Sequence, residues 1–471
     1  MRVSGLFSGD GLRSRALRGT AITLGGTAGQ QLIRLASNLA LTRLLFPEAF
    51  GLMALIQTFM VGLHMFSDVG IRPSIIQNPR GEEPDFLNTA WTIQIGRGVV
   101  LWLASCALAW PLAQFYGDTQ ILYIMPVVGF ASVIEGFATT KTATANRHLQ
   151  LGRQTVLTLA TQVLGTGAMV LMAWFWPTVW VLVVGNLIGM SLGVLFGHMF
   201  MPGIRNRLRW DPSSAQDLMR FGRFIFISTL AGFFVNQGDK VVLGKLISFA
   251  DLGIYNIGFF MASFPLMMGS MVAQRILFPL FRHIRPSESA QNRIKIRRAR
   301  SLLAGSMIAM FGTLALVGHH LIELLYDPRY LAAGPMLIVL VLMYIPTALT
   351  LGNSQLLLAE GNSRDFSKLV VIQAVLNFIY MLGGFWLFGI FGVLLVQGLN
   401  TLTIYPLQQH FLRRHQGTDM RRDAVFMAFG LVCAALAIWW NWDVLSHFYQ
   451  TSRAAAPSVT GTWHPLTVFG G

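Results

Sequence analysis

The chain has 471 residues, of which 54% are hydrophobic and only 12% are charged. A soluble globular protein carries roughly 25% charged residues, so this composition excludes a chain with a fully water-facing surface and predicts one covered largely by lipid. The net charge of +15 does not indicate nucleic-acid binding, because the basic residues fall in short clusters between apolar runs, as in cytoplasmic membrane loops.

Apolar runs of about 20 residues, the length that spans a bilayer as a helix, follow one another along the whole chain. Glycine and proline inside several runs fit this interpretation, because neighbouring membrane helices satisfy the freed backbone groups. We therefore predict an all-α polytopic membrane protein. The predicted spans are 20–43, 49–70, 87–110, 121–140, 155–175, 179–201, 221–245, 251–274, 301–325, 333–357, 369–388, 390–411 and 424–442.

The distribution of Lys and Arg predicts the orientation. Of the 35 basic residues, 28 lie in the N-terminal segment and in the loops on the same side of the membrane, and cytoplasmic loops are enriched in them. We therefore predict a cytoplasmic N-terminal segment (1–19), a cytoplasmic connector (202–220) and an outward C-terminal tail (443–471). The protein is predicted to be a multi-pass membrane protein with its N-terminus in the cytoplasm; the resemblance described below implies the bacterial inner membrane.

Short stretches recur in the same order in the two halves, as in transporters built from repeats. They predict an N-lobe of six spans (20–201) and a C-lobe of six spans (221–411) related by an axis along the membrane normal. The thirteenth span (424–442) lies outside this repeat. The matched stretches are Leu44–Leu52 with Leu246–Ile254, Leu112–Gly117 with Ile322–Asp327, and Ala145–Arg147 with Ala359–Gly361.

Polar and charged residues inside the spans point to function, because a charge at the bilayer centre costs roughly 2.5–3.5 kcal/mol on insertion scales. Arg34 lies in mid-span with no acid on its own helix, and we expect it to face a water-filled cavity. The set has more cations than anions, which favours an anionic ligand, since Arg forms bidentate bonds to phosphate oxygens. Its members are Gln30, Arg34 and Asn38 in the first span, His64 and Asp68 in the second, Arg97 in the third, and Asn236, Asp239 and Lys240 in the seventh.

Structural roles remain open for several of these residues. Arg97 could pair with Asp68, His64 could be a hydrogen-bonded core residue, and Lys240 could anchor its helix at the outer surface. Glu135 and Lys141 are expected to be solvated near the cytoplasmic boundary.

The sequence also resembles a known family in short stretches within residues 15–415. The stretches are similar to bacterial polysaccharide flippases, the O-antigen and exopolysaccharide transporters of the multidrug/oligosaccharidyl-lipid/polysaccharide (MOP) superfamily. They are Ala36–Leu45, Phe50-Gly51-Leu52, Ser67–Ile71, Ile75-Ile76-Gln77 and Asn88–Trp91.

This resemblance implies two six-helix bundles in a pseudo-twofold arrangement around a central cavity, here with one extra C-terminal span. It implies alternating access that moves undecaprenyl-diphosphate-linked oligosaccharides across the membrane, driven by a proton or sodium gradient and without a cofactor. Polysaccharide polymerases and glycosyltransferases would be partners, together with membrane lipids.

These considerations give a hypothesis for the site. Arg34, Arg97 and Lys240 would bind the diphosphate, and Gln30, Asn38 and Asn236 would contact the sugars. Asp68, His64 and Asp239 would couple transport to an ion gradient. No catalytic residue and no metal site is predicted.

Three other functions remain open, and one is a flippase for the peptidoglycan lipid precursor, which is chemically close to the favoured function. A multidrug exporter of the same superfamily would bind cations through acids in the first and seventh spans, and only Asp239 fits that pattern. A membrane-embedded glycosyltransferase or polymerase would have a large outer loop, and the outer loops here are short. We therefore favour a transporter over an enzyme.

Overall fold

The computed structural model describes residues 12–68, 70–148, 150–222, 226–284, 288–359, 363–414 and 418–454. These residues form α-helices joined mostly by short turns, and the all-α prediction is confirmed. The helices are α1 (Leu12–Leu44), α2 (Pro47–Phe66), α3 (Ile71–Gln77), α4 (Pro84–Tyr116), α5 (Gln120–Gly136), α6 (Lys141–Arg147), α7 (Leu151–Phe175), α8 (Val179–Phe200), α9 (Pro212–Gly222), α10 (Phe226–Leu246), α11 (Phe249–Val272), α12 (Phe278–His283), α13 (Ala290–Leu325), α14 (Ala333–Met343), α15 (Ile345–Ala359), α16 (Ser363–Phe388), α17 (Ile390–Arg413), α18 (Met420–Trp440) and α19 (Trp442–Ala454).

Nine helices of the described ranges are long and apolar enough to cross a membrane. Two bent pairs meet the same test together: α5 with α6, bent by 60°, and Pro328–Met343 with α15, bent by 48°. Of the two remaining predicted spans, 20–43 falls on α1, and the part of 221–245 from residue 226 onward falls on α10. Each predicted span therefore lies on a helix or a bent helix pair, as a polytopic membrane protein requires.

The chain divides into two compact units. The first contains Met1–Leu45 and Ile56–Thr229, and the second contains Phe46–Leu55 and Leu230–Gly471. The start of α2 thus packs with the second unit. The predicted lobe limits, 20–201 and 221–411, stay a prediction, and parts of the predicted terminal segments (1–11 and 455–471) lie outside the described residues.

Small residues bring the helices of the first unit close together, as in other membrane bundles. Where α7 and α8 cross, a Cβ added to Gly165 would lie 2.8 Å from the Cα of Gly189. At one end of the bundle, short helices α3, α6 and α9 cover a small hydrophobic core with the start of α4. This core contains Ile71, Ile75, Phe86, Leu87, Ala90, Ala143 and Leu218.

The predicted connector is attached to the first unit by side chains of α4. Asn88 Oδ1 accepts a hydrogen bond from Arg207 N at 2.9 Å, and Thr89 Oγ1 accepts one from Asp211 N at 3.0 Å. Asp211 then begins α9, because its carboxylate accepts hydrogen bonds from the side chain and backbone N–H of Ser214. These hydrogen bonds, with one from Ser213, hold the pKa of the Asp211 carboxyl well below its usual range.

In the second unit, α18 packs against α13 and α15, and its position matches the predicted thirteenth span. The chain then continues into the amphipathic helix α19, whose residues Leu445, Phe448 and Ser452 are buried. Ser452 Oγ donates to Phe388 O at 2.9 Å and accepts from Phe391 N at 2.8 Å. The start of the C-terminal tail is therefore a helix that caps the turn between α16 and α17.

Lys141 corrects one expectation from the sequence. Its side chain is buried, with 7% relative exposure, and Nζ donates a hydrogen bond to His198 O at 2.8 Å. His198 lies in the last turn of α8, where backbone carbonyls lack helical partners. Lys141 is therefore a buried cap on α8, and the expectation that it is solvated was wrong.

Candidate functional site

Arg97 holds the C-terminal end of α2. Its Nη2 donates to His64 O at 2.9 Å and its Nε donates to Ser67 Oγ at 3.0 Å. The carbonyls at a helix C-terminus carry partial negative charge, so a guanidinium is a suitable partner there. Asp68 Oδ1 instead accepts from Gly70 N at 2.9 Å in the turn before α3. Arg97 thus binds a helix end, and it does not form the pair with Asp68 that the sequence left open as an alternative.

Three predicted residues line one cavity of about 340 Å³ in the first unit: His64, Asp68 and Arg97. Arg72 and Glu135 line the same space, which we term the charged cavity. Among the described residues, its ionic contacts connect α2, α3 and α5. Arg72 Nη2 lies 3.7 Å from Glu135 Oε1, and His64 Nδ1 lies 3.9 Å from Glu135 Oε2.

His64 is also in contact with a core hydroxyl. Its Nε2 lies 3.0 Å from Oγ of Ser132, one turn before Glu135 on α5. The imidazole therefore lies between a neutral hydroxyl and a carboxylate. The prediction of a hydrogen-bonded His64 agrees with this contact, and its proximity to Glu135 also places it beside a group with which it can share a proton.

Gln94 fixes the position of Glu135. Its Nε2 lies within hydrogen-bond distance of three carbonyl oxygens at the bend between α5 and α6, at 3.0 Å from Glu135 O, 3.2 Å from Gly136 O and 3.1 Å from Ala138 O. These carbonyls lack normal helical partners because α5 ends there. One amide from α4 thus stabilises the break that presents the Glu135 side chain.

A second cavity, of about 620 Å³, lies among α1, α5, α7 and α8 of the first unit. We term it the glycine-lined cavity, because five glycines of α7 and α8 contribute to its wall. It shares Arg72 and Glu135 with the charged cavity, so this ion pair lies between the two spaces. Its wall includes Gln30, Gln154, Thr158, Thr161, Gln162, Gly165, Thr166, Gly185, Asn186, Gly189, Gly193 and Gly197.

The other predicted residues of α1 lie beside this cavity along the helix. Arg34 is one turn beyond Gln30 on the same helix face, and its side chain is exposed. Asn38 follows one turn later and is half-buried. Of the first-span prediction, only Gln30 lines either of the two cavities.

The seventh-span residues belong to the second unit. Lys240 is buried, with 8% relative exposure; its Nζ lies 4.5 Å from the ring centroid of Phe259 and donates to Gln237 Oε1 at 3.2 Å. Asp239 accepts a hydrogen bond from the Tyr255 hydroxyl. Asn236 is exposed and donates to the backbone of its own helix.

The sequence interpretation missed a buried polar network in the second unit. Arg300 and Arg422 are 5% and 4% exposed, although the 28 basic residues assigned to the cytoplasmic side from the sequence include both. Arg422 Nη1 lies 3.0 Å from Oδ1 of buried Asp423, and Arg422 Nη2 donates to Arg300 O at 3.0 Å. The available signal was the pair Arg422-Asp423 directly before an apolar run.

Asn353 extends this network. Its Oδ1 accepts from Arg300, and its Nδ2 donates to Gln408 Oε1 at 3.1 Å. Asp423 also accepts a hydrogen bond from Tyr405 at 2.8 Å. Among the described residues, no group of three or more His, Cys, Asp or Glu side chains is placed to hold a metal ion.

Comparison with known proteins adds three observations. The family described as "Polysaccharide biosynthesis protein" matches residues 40–335. The chain is 22% identical over 370 residues to the lipopolysaccharide biosynthesis protein WzxC of Escherichia coli (strain K12), covering 78% of this chain and 75% of WzxC. It is 22% identical over 297 residues to the teichuronic acid biosynthesis protein TuaB of Bacillus subtilis (strain 168), covering 63% of this chain and 61% of TuaB, less than two-thirds of TuaB.

A solved structure supports the fold. The lipid II flippase MurJ, in an inward closed conformation, matches with a TM-score of 0.66 at 14% identity, covering 90% of this chain and 96% of MurJ. A likeness at this identity bears on the fold alone. The predicted fold class of two helical bundles with an extra C-terminal span is confirmed.

Proposed function

This chain belongs to the polysaccharide biosynthesis protein family, and we propose that it is a flippase for lipid-linked oligosaccharides. It moves undecaprenyl-diphosphate-linked glycan units across the cytoplasmic membrane by alternating access. WzxC and TuaB, its relatives, are named for the biosynthesis of lipopolysaccharide and teichuronic acid, which are cell-surface polymers.

The observation that supports this proposal best is the pair of polar cavities in the first unit, joined at Arg72 and Glu135. Ionisable groups inside membrane helices are costly, and they mark substrate and ion pathways. A flippase for a glycan diphosphate needs both features of this site, a polar space for sugars and cations for the phosphates.

The cations divide into two groups by the exposure of their side chains. Arg34 and Arg72 have exposed side chains, so they are the proposed phosphate ligands. Arg97 is half-buried and Lys240 is buried, and both donate to protein acceptors, so we expect their charge, more than direct bonds, to favour the diphosphate. Gln30, Asn38 and Asn236 remain the proposed sugar contacts.

Alanine at Arg34 or Arg72 tests the proposal in cells. Each variant is expected to lose surface polysaccharide and to accumulate lipid-linked oligosaccharide on the inner leaflet, with protein abundance unchanged. Arg153→Ala is the matched control for Arg72→Ala, because this exposed arginine of the first unit lines neither cavity. Normal polysaccharide in both the Arg34 variant and the Arg72 variant would contradict the proposed phosphate site.

Coupling to an ion gradient is proposed for Asp68, His64 and Asp239. The charged cavity supports the first two, since His64, Asp68 and Glu135 line it together. In proteoliposomes, a proton gradient should accelerate wild-type flipping and should not accelerate the His64→Gln variant. Acceleration by a sodium gradient alone would assign coupling to sodium and remove His64 from this role.

Orientation and partners are also part of the proposal. The N-terminus is cytoplasmic, the membrane is the bacterial inner membrane, and polysaccharide polymerases and glycosyltransferases act with the flippase. Cysteines placed at Ser213 and Ser446, both outside the cavities, test the orientation in a Cys-free background. Only the second should react with an impermeant maleimide in intact spheroplasts.

A multidrug exporter is the second candidate, because Asp239 provides a carboxylate in α10 that could bind a cation. Its Oδ1 is buried and has no hydrogen-bond partner among the described residues. A deletion strain that became sensitive to cationic dyes while its surface polysaccharide stayed normal would favour the exporter over the flippase.

A further inference from the structure

The glycine-lined cavity is deep. Along α7, its lining residues extend from Gln154 to Met169, a distance of about 22 Å at 1.5 Å per residue. Its volume of about 620 Å³ lies within the usual range for ligand pockets, roughly 300–1,000 Å³. It therefore has room for more than a single ion.

Polar side chains in this wall have unused hydrogen-bonding groups. Within the described parts of the chain, the side chains of Gln30, Gln154, Thr166 and Asn186 form no hydrogen bond, and Oε1 of Gln154 is buried without a partner. Polar groups at membrane depth are unfavourable unless a partner satisfies them. Amides and hydroxyls both donate and accept, as sugar hydroxyl groups do.

Charge is confined to one end of the cavity. Arg72 and Glu135 are the ionisable residues of its lining, and they lie 3.7 Å apart. The remaining wall is made of amides, hydroxyls, glycines and apolar side chains. A charged ligand in that part would lack a counter-ion, so the wall suits an uncharged polar ligand.

Gly193 leaves part of the cavity open for a ligand. Gly165 and Gly185 are required by packing, because an added Cβ would meet Gly189 and Met169 respectively. A Cβ on Gly193 would meet nothing within 4 Å, although the residue lines the cavity. Its missing side chain therefore leaves room in the cavity and has no role in helix packing.

We propose that the glycine-lined cavity binds uncharged sugar residues of the lipid-linked oligosaccharide, with the diphosphate held at its Arg72 end. This assignment rests on the proposed flippase function and adds where the glycan binds and which sugars fit. Thr166 and Asn186, together with Gln30 and Gln154, supply the hydrogen bonds.

The test compares two lipids by native mass spectrometry of the purified protein. One is lipid-linked oligosaccharide extracted from host cells that lack the polymerase. The other is undecaprenyl diphosphate, which carries the same lipid and phosphates without sugar. Gly193→Leu fills the cavity and is expected to raise Kd at least tenfold for the first lipid and to leave Kd for the second unchanged.

Gly167→Leu is the matched control. Gly167 also lies on open space in α7 but does not line the cavity, so both lipids should bind this variant as they bind wild type. Thr166→Val keeps the side-chain shape and removes one hydroxyl. It should raise Kd roughly fivefold for the glycan lipid alone, as expected for the loss of one hydrogen bond.

Each other outcome overturns the assignment in a recognisable way. If Gly193→Leu weakened the binding of both lipids equally, the cavity would bind the lipid chain or the phosphates. If it changed the binding of neither, the cavity would not bind the glycan. If wild-type protein flips the glycan lipid in proteoliposomes, either result defeats only the sugar site. If wild-type protein neither binds nor flips that lipid, the flippase function fails as well.

Discussion

Gly51 of α2 and Gly253 of α11 contact each other reciprocally. A Cβ on Gly51 would overlap the carbonyl oxygen of Phe249, and a Cβ on Gly253 would overlap that of Pro47. Gly51 and Gly253 are separated by 202 residues in the sequence, as are Pro47 and Phe249, and this is the offset of the first repeat match. The same short motif therefore contacts its own repeat, as in an isologous interface.

Alanine at either glycine should destabilise the protein by about 3 kcal/mol, the upper part of the usual overpacking range. The clashing atoms are backbone oxygens, which cannot move aside as the end of a flexible side chain can. Thermal unfolding of the purified protein in detergent measures the loss. Gly193→Ala, whose Cβ meets open space, should unfold like wild type, and equal stability of Gly51→Ala would contradict the close crossing.

Gln94→Glu should destabilise the bend between α5 and α6. The substitution keeps the side-chain shape but replaces the amide donor with an oxygen that faces three carbonyls. Loss of these hydrogen bonds should lower the free energy of unfolding by about 1–3 kcal/mol, seen as a lower Tm. Gln216→Glu, at an exposed position of α9, is the control and should change Tm little.

Asp423→Asn should be among the most damaging substitutions in the second unit. It removes the buried carboxylate that lies 3.0 Å from the buried guanidinium of Arg422, and breaking a buried ion pair from one side costs about 3–5 kcal/mol. Arg297→Ala breaks the pair with Asp419 from an arginine that is 57% exposed and should cost about 1 kcal/mol or less. Chemical denaturation of both variants gives the comparison, and equal losses would argue against a special role for the buried network.

Ser452→Ala should loosen α19 from the turn between α16 and α17. The Phe391 N–H then loses its acceptor, and an unsatisfied buried donor costs about 1–3 kcal/mol. Hydrogen exchange of the Phe391 amide should become faster. Ser446→Ala, on the exposed side of α19, should leave that rate unchanged; if both variants exchange like wild type, α19 does not depend on this contact.

Some residues of the functional site could be predicted from the sequence, and others became evident only in the structure. Arg34 and Arg97 were found because a cation inside an apolar run is unusual whatever the fold. Arg72 was not a candidate, and Glu135 was expected to be solvated, because each lies near the end of a span, where a charged residue ordinarily reaches water. Only the packing of α3 against the bent α5–α6 pair makes them the ion pair shared by two cavities.

The sequence alone determined that the chain is an α-helical membrane protein with many spans, because lipid requires long apolar runs and helices satisfy their own backbone. It also predicted a repeat, since short motifs keep their order in both halves. Tertiary structure decided which charges are buried. Arg97 binds a helix end, Lys141 caps α8, and Arg422 joins a hidden network. The burial of a side chain and its hydrogen-bond partners depend on residues distant in the chain, so the local sequence pattern does not predict those contacts.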